Sequence, residues 1–223
     1  MIGVLVNVGA IALGTGLGLC FKKILTEHTR VVVMQGMGVA VLFVGIADVV
    51  KTPNFLILIL ALAFGGFIGA ACKIEERIDK VGAFLERKFA RDENDKVGTA
   101  FVSATLIFCI GAMAIYGSIE AGLGNNSTLF TKSILDGVMA ILLAATYGWG
   151  VVLSAIPLLI LQGGVALMAG FIEPIATPLF MSQLSGIGGA LVFCIGINIL
   201  GIKKIHTADL LPAILGAFAV FLM

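Results

Sequence analysis

Long apolar runs are the feature of this sequence that most constrains its fold. A transmembrane helix needs about 20 consecutive apolar residues, and eight runs near that length occupy 2–21, 31–50, 54–72, 99–117, 133–148, 149–172, 183–202 and 208–223. Apolar residues make up 60% of the chain and charged residues only 12%, which is too few charges to cover a soluble protein. The sequence therefore predicts an all-α, polytopic membrane helix bundle of seven or eight transmembrane helices. It excludes a soluble enzyme, a disordered chain and a nucleic-acid-binding protein.

Two apolar regions differ in length from a single membrane span. The stretch 137–172 carries no charge and is about twice as long as one span. Its aromatic pair within 147–150 suits a membrane interface, so a break between two helices is predicted there. The last run is short and opens with the sequence Leu210-Leu211-Pro212, so it either crosses the membrane or forms a re-entrant segment.

Positive charge is distributed unevenly among the connecting segments. Loops 22–30, 73–97 and 203–209 contain twelve of the 14 Lys and Arg residues, and the other two are Lys51 and Lys132. Because cytoplasmic loops are enriched in Lys and Arg, these three loops are predicted to lie in the cytoplasm. With eight crossings, both termini then lie outside, and a cysteine introduced at position 92 should not be labelled from outside the cell.

Segment 73–97 is the one long polar stretch. Its acidic and basic residues are equal in number, and apolar residues recur in it at helical spacing: Ile74, Ile78, Val81, Leu85 and Phe89. This pattern predicts an amphipathic helix on the cytoplasmic face of the membrane. Such a helix is either a connector or a surface that binds a partner.

The sequence contains signs of an internal repeat. The pair Gly65-Gly66 recurs 98 residues later as Gly163-Gly164, and other short matches have offsets of 97 and 99 residues. We predict a single membrane domain, 1–223, with a first repeat at 1–72, a linker at 73–97, a second repeat at 98–173 and a C-terminal helix pair at 183–223. Since each repeat has three crossings, helices 1–3 and 4–6 would form an inverted repeat of the kind found in secondary transporters.

Polar residues and paired glycines within the apolar runs predict a transport site. An amide within a membrane usually faces other protein or a wet cavity, and paired glycines in matching segments can break helices at a site. The predicted binding residues are Asn7, Gln35, Asp136, Ser154, Gln162, Gly163, Gly164, Asn198, Gly65 and Gly66. The alternative is a purely structural role in hydrogen bonding and close packing between helices.

Charged residues flanking the fourth and fifth runs form a second group. Glu120, Lys132 and Asp136 are predicted to lie near the outer face, as a charged vestibule or a solvated loop. Asp136 would fall in the first turn of its helix, where the helix dipole stabilises an acid.

The sequence offers no pattern for a metal site or a cofactor. None of the four cysteines forms a CxxC pair, and His28 and His206 both fall in loops. We therefore expect no disulfide framework, no metal, no cofactor and no enzymatic activity.

Several segments resemble the YdfK/YqgA-type family of bacterial membrane proteins. They are FCIGAMAIYGSIEAGL at 108–123, KSILDG at 132–137, LSAIP at 153–157, QG at 162–163, GINILGIKK at 196–204 and LLPA at 210–213, together with Asn7. The resemblance covers nearly the whole chain. It implies a multi-pass protein of the bacterial inner membrane and supplies no substrate.

These patterns favour a small secondary transporter or channel-like carrier for a small polar solute or ion. The alternatives are a structural or regulatory membrane subunit that acts through 73–97, and an intramembrane enzyme. The lipid bilayer and the solute are the expected partners, no nucleic acid is expected, and a homodimer would bury glycine-rich faces.

Overall fold

The computed structural model describes residues 1–22, 26–90, 96–110 and 112–222, and these are mostly helical, joined by short turns and loops. The α-helices are α1 (Ile2–Lys22), α2 (Glu27–Val49), α3 (Phe55–Cys72), α4 (Ile74–Phe89), α5 (Val97–Cys109), α6 (Ala112–Gly122), α7 (Ser127–Tyr147), α8 (Ala155–Leu167), α9 (Ala169–Ile172) and α10 (Pro178–Leu200), and two 3-10 helices cover Trp149–Ser154 and Thr207–Leu222. The predicted all-α fold class is confirmed.

Six helices are long and apolar enough to cross a membrane, and a seventh span is present if the bent pair α5 and α6 counts as one. The six are Ile2–Phe21, Val31–Val49, Phe55–Cys72, Ser127–Tyr147, Trp149–Leu167 and Pro178–Leu200. Together they confirm the predicted membrane helix bundle, with six or seven spans where seven or eight were expected.

The predicted break in the long uncharged stretch is confirmed. Helix α7 ends at Tyr147, and Gly148 has a φ of 98°, a backbone conformation that glycine adopts without the steric cost of a side chain. The chain then forms the 3-10 helix Trp149–Ser154 and continues directly into α8.

The C-terminal apolar run forms the 16-residue 3-10 helix Thr207–Leu222. A 3-10 helix rises about 2.0 Å per residue, so this segment extends for about 32 Å, close to the ~30 Å of a bilayer's hydrocarbon core. An α-helix with the same number of residues would be about 24 Å long. The tighter winding therefore gives a short run the length of a membrane span.

The chain divides into two compact units. Unit one contains Met1–Met34, Asp79–Cys109 and Met113–Ile172, and unit two contains Gln35–Ile78, Ile110–Ala112 and Glu173–Met223. Unit one therefore draws residues from both predicted repeats. The inverted relation of helices 1–3 to helices 4–6 stays a prediction.

In unit one, glycines bring α1 and α7 into close parallel contact. Gly3 lies against Asn126 and Leu129 near the start of α7, whereas Gly18 lies against Ile141 and Ala144 towards its end. A Cβ atom on Gly18 would meet the Ile141 carbonyl oxygen and would lie 2.8 Å from the Ala144 Cβ. Gly14 and Gly18 are spaced four apart on this face, and small residues at that spacing allow helix backbones to approach closely in membranes.

In unit two, α2 and α10 pack antiparallel through another set of glycines. Gly38 lies against Leu200, and Gly45 lies against Phe193 and Gly189. A Cβ on Gly45 would lie 2.6 Å from the Phe193 nitrogen, so no larger residue fits without separating the helices. Helix α3 packs on the C-terminal 3-10 helix in the same way.

The glycine contact in unit one predicts opposite effects for two neighbouring substitutions. Gly16 has open space where a Cβ would be, so Gly16→Ala should raise the free energy of unfolding by about 0.5–1 kcal/mol through helix propensity. Gly18→Ala should lower it by about 1–3 kcal/mol through overpacking. Thermal unfolding of the detergent-solubilised variants checks the difference, and equal stability of the two would contradict the described contact.

The parallel arrangement of α1 and α7 predicts the topology of the segments between them. Two parallel spans need an odd number of crossings between them, so α2, α3 and the bent α5–α6 pair should each cross once. With cytoplasmic loops enriched in positive charge, Ser127→Cys in a cysteine-free chain should be labelled from outside intact cells and Lys80→Cys should not. Efficient labelling at position 80 would refute this topology. Position 92, for which the sequence predicts no labelling, lies outside the described residues.

Candidate functional site

A buried polar cluster lies in unit one, among the apolar side chains of three helices. It consists of Asn7 on α1, Lys132 and Asp136 on α7, and Gln162 on α8. Asn7 and Gln162 are completely inaccessible to solvent, and both charged residues are 6% exposed. Removing each of these polar groups from water is costly, so the burial of four of them at one position requires a specific physical explanation.

An ion pair and two amide contacts connect the cluster. The Lys132 ammonium nitrogen lies 2.8 Å from each oxygen of the Asp136 carboxylate. The Asn7 side-chain nitrogen donates hydrogen bonds to Asp136 Oδ2 at 2.9 Å and to Gln162 Oε1 at 3.2 Å. The carboxylate is thereby bound by one cation from its own helix and one amide from a neighbouring helix.

Two atoms of the cluster have no hydrogen-bond partner among the described residues. They are the side-chain oxygen of Asn7 and the side-chain nitrogen of Gln162, and both are buried. The Asn7 amide cannot be flipped to exchange its oxygen and nitrogen. A carboxylate only accepts hydrogen bonds, so it requires the nitrogen of Asn7 beside it. Each unmet group costs about 1–3 kcal/mol. The cluster therefore presents one free acceptor and one free donor next to an ion pair.

The position of Asp136 differs from the expectation. Helix α7 begins at Ser127, nine residues earlier, so Asp136 does not lie in the first turn and does not cap the helix. Lys132 is likewise inside α7, four residues before Asp136, at the spacing that pairs side chains on one helix face. The expectation of a solvated loop was wrong for both residues, because both are buried within α7. Polar residues extend well into this helix, and hydropathy alone placed its start too late. The charged vestibule stays a prediction.

Glu120 is separate from the cluster. It is half-buried and accepts hydrogen bonds from the Thr128 hydroxyl at 2.5 Å and from the Asn125 side chain at 3.5 Å. These bonds hold the turn between α6 and α7. Glu120 therefore has a structural role at the end of unit one where Asn7 also lies.

An apolar layer covers the cluster on that side. Val4, Ala121, Leu129 and Ala166 form a hydrophobic group whose members are at most 5% exposed. Val4 lies one helical turn from Asn7, and Leu129 lies one turn from Lys132. The layer is therefore about one turn, or about 5 Å, thick.

The cluster lies nearer to one end of the helices than to the other. Asn7 is five residues from the start of α1, and Gln162 is five residues from the end of α8. At 1.5 Å per residue, each is about 8 Å from its helix end. The shorter path from the cluster to water therefore runs through the apolar layer.

Three other predicted polar residues do not join the cluster. The hydroxyl of Ser154 is buried and donates to the Val151 carbonyl at 2.6 Å in its own 3-10 helix. Asn198 is in unit two, where its amide bonds both backbone groups of Ile205, at 2.7 and 2.8 Å, and so closes the loop 201–206. Gln35 is also in unit two, and its side chain is exposed.

The expectation that the glycine pairs break their helices was wrong. Helix α3 continues through Gly65 and Gly66, and α8 continues through Gly163 and Gly164. Gly65 instead gives room to the Ala213 backbone, whereas Gly163 and Gly164 have open space where a side chain would be. Small size, rather than helix breaking, explains the pair in α3.

Gln183 is a further buried amide, which no sequence pattern marked as a site residue. It is fully buried on α10 in unit two, donates to the Asn54 carbonyl at 3.1 Å and accepts from the Asn54 backbone nitrogen at 3.2 Å. It thereby fixes the residue that caps α3. An amide near the start of an apolar run was the available signal. In the part of the chain that the structure describes, no three His, Cys, Asp or Glu side chains are placed to hold a metal ion.

Breaking the ion pair predicts a stability pattern. Lys132→Met should lower the free energy of unfolding by about 3–5 kcal/mol, because it leaves a buried carboxylate without its cation. Lys132→Met combined with Asp136→Leu should recover most of that loss, since no buried charge remains. Unfolding of the purified variants measures both effects. A single variant as stable as the parent, or a double variant no better than the single one, would contradict the described geometry.

Comparison with known proteins agrees with the helical membrane architecture. The chain is 34% identical over 220 residues to the uncharacterised membrane protein YdfK of Bacillus subtilis, covering 96% of this chain and 93% of that protein. It is also 34% identical over 220 residues to the uncharacterised protein YqgA of Escherichia coli, covering 96% and 94%. No solved structure matches the chain. The model of the family described as protein of unknown function (DUF554) matches residues 2–222, and the chain therefore belongs to the DUF554 family.

Proposed function

We propose that this protein is a small secondary transporter or channel-like carrier that moves a small polar solute or ion across the bacterial inner membrane. The buried cluster in unit one carries the proposal. Its free acceptor on Asn7 and free donor on Gln162 are adjacent to the ion pair of Lys132 and Asp136.

The cost of the cluster supports a functional role. Replacing a buried ion pair with apolar side chains of similar volume is often neutral or stabilising, and ionisable residues within a membrane commonly mark ion or substrate pathways. A purely structural cluster would also be expected to satisfy its amides internally. The two unmet groups instead suit a ligand that supplies one donor and one acceptor.

The chemistry of these groups limits the solute. The carboxylate of Asp136 and the oxygen of Asn7 attract a cation or an ammonium group, and the nitrogen of Gln162 with the Lys132 ammonium attracts an acceptor such as a carboxylate. A small zwitterion satisfies both sides, and a small cation satisfies the first. A bulky apolar molecule satisfies neither.

Access to the cluster requires a conformational change. Asn7 and Gln162 are fully buried, so the described conformation is closed to water. The thin apolar layer that contains Val4 and Leu129 is the proposed gate, because its opening needs the separation of only one turn of packed side chains. A homodimer is a further part of the proposal, since Gly164 on α8 is partly exposed and has open space beside it, which suits close approach of a second helix.

The substitution Gln162→Leu tests the proposal. Purified protein is first screened by thermal shift against alkali-metal chlorides and zwitterionic amino acids, because a bound ligand raises the stability of the folded state. Any compound that binds is then followed into proteoliposomes. Gln162→Leu should fold, but its affinity for the solute and its transport rate should fall about tenfold or more. The reason is that it loses a hydrogen bond to the solute worth about 1–3 kcal/mol.

The matched control is Gln35→Leu, which makes the same change at an exposed amide of unit two. It should leave binding and flux unchanged. If Gln162→Leu folds and transports as fast as the parent protein, the cluster is structural and the proposed pathway is wrong.

A further inference from the structure

Helix α4 separates the charges of its residues 79–89 onto two flanks. At 100° per residue, Lys80, Phe84, Arg87 and Lys88 fall within an arc of about 100°, and Asp79 and Glu86 fall on the opposite side. Helix α4 is thus amphipathic in charge as well as in hydropathy. Its charges are balanced in number, so its net charge alone gives no preference for an anionic partner.

The acidic flank is engaged with the protein. The Glu86 carboxylate accepts a hydrogen bond from the Gly98 backbone nitrogen at 2.5 Å and so caps the first turn of α5. Beside it, Gly82 and Gly98 bring the backbones of α4 and α5 into contact. These contacts fix the rotation of α4 about its axis and direct the opposite flank away from α5.

The basic flank is exposed. Lys80, Arg87 and Lys88 are all exposed, and so are two apolar neighbours, Val81 at 49% and Phe84 at 59%. The Lys88 ammonium lies 5.7 Å from the centre of the Phe84 ring. Basic groups next to exposed apolar rings are typical of surfaces that rest in the headgroup layer, where the rings lie deeper and the charges reach outward.

A second contact places this end of α4 near the membrane surface. The Phe89 ring packs edge-to-face on Trp149, with 6.0 Å between the ring centres. Trp149 begins the connection between α7 and α8, two apolar spans, and such connections lie at the membrane interface. Tryptophan itself is enriched at that depth.

We propose that Lys80, Arg87 and Lys88 form a binding surface for the headgroups of anionic phospholipids, with Phe84 and Val81 inserted below them. Negative phosphate groups complement the basic flank, and Arg87 can bind a phosphate through two parallel hydrogen bonds. Asp79 and Glu86 lie on the other flank, and the carboxylate of Glu76, one turn before Lys80, is paired with Lys73 at 3.3 Å. The lipid therefore meets a locally positive surface on a helix with no net charge.

The single tryptophan provides a direct test. Trp149 is the only Trp in the chain and lies against α4, so quenching of its fluorescence by brominated lipids reports which lipids surround this helix. The full-length protein is reconstituted in vesicles of phosphatidylcholine and phosphatidylglycerol, with one or the other brominated. We expect the parent protein to prefer phosphatidylglycerol by about threefold or more, and 0.5 M NaCl to reduce this preference, because salt screens exposed charges.

Two double variants distinguish a local surface from total charge. Arg87→Gln with Lys88→Gln should reduce the preference to about one, because two of the three basic groups are lost. Lys203→Gln with Lys204→Gln removes the same charge from another loop and should leave the preference unchanged. The proposal is overturned if the parent protein shows no preference for phosphatidylglycerol, as expected if the flank instead binds an acidic protein. It is also overturned if both double variants lose the preference equally.

Discussion

The rest of unit one depends on a carboxylate buried within an apolar helix bundle. Asp136 is only 6% exposed, so it must obtain its partners from its own helix and from neighbouring ones. Lys132 supplies a cation from the same helix, and Asn7 supplies a hydrogen bond from α1. Asn7 also bonds Gln162, which brings α8 to the same point. The hydrogen bonds around this buried carboxylate thus bring particular faces of three helices together, and they leave two amide atoms without a hydrogen-bond partner among the described residues.

The close packing of α1 and α7 is what makes these contacts possible. The side chain of Asn7 is short, so it reaches Asp136 only if the two backbones lie close together. Gly14 and Gly18 provide that approach along the same face of α1, since Asn7, Gly14 and Gly18 all lie on its buried stripe. Apolar packing and polar recognition therefore depend on the same small residues. A substitution that separates the helices should weaken the ion-pair network as well as the packing.

Much of the fold could be predicted because membrane spans are encoded locally in long apolar runs. The helix break beside Gly148 could be predicted in the same way, and so could a shared position for the amides of Asn7 and Gln162, which contact each other. The roles of other residues depend on contacts distant in sequence. An amide in an apolar run can join a buried cluster, as Gln162 does, or close a loop, as Asn198 does. Glycine pairs give the same local pattern whether they break a helix or make room for a neighbour. Which of the two they do depends on the residue packed against them, which is Ala213 in the case of Gly65.

The proposed transport requires that the buried cluster opens to water during the transport cycle. Cysteine accessibility tests this most directly, in a chain that otherwise lacks cysteine and in intact cells. Asn7→Cys should react with a small, membrane-impermeant methanethiosulfonate reagent applied from outside. Ile11→Cys is equally buried on α1, one turn further from the apolar layer, and should remain unreactive. If the cysteine at position 7 is as inert as the one at position 11, the cluster stays closed and a transport role for it is contradicted.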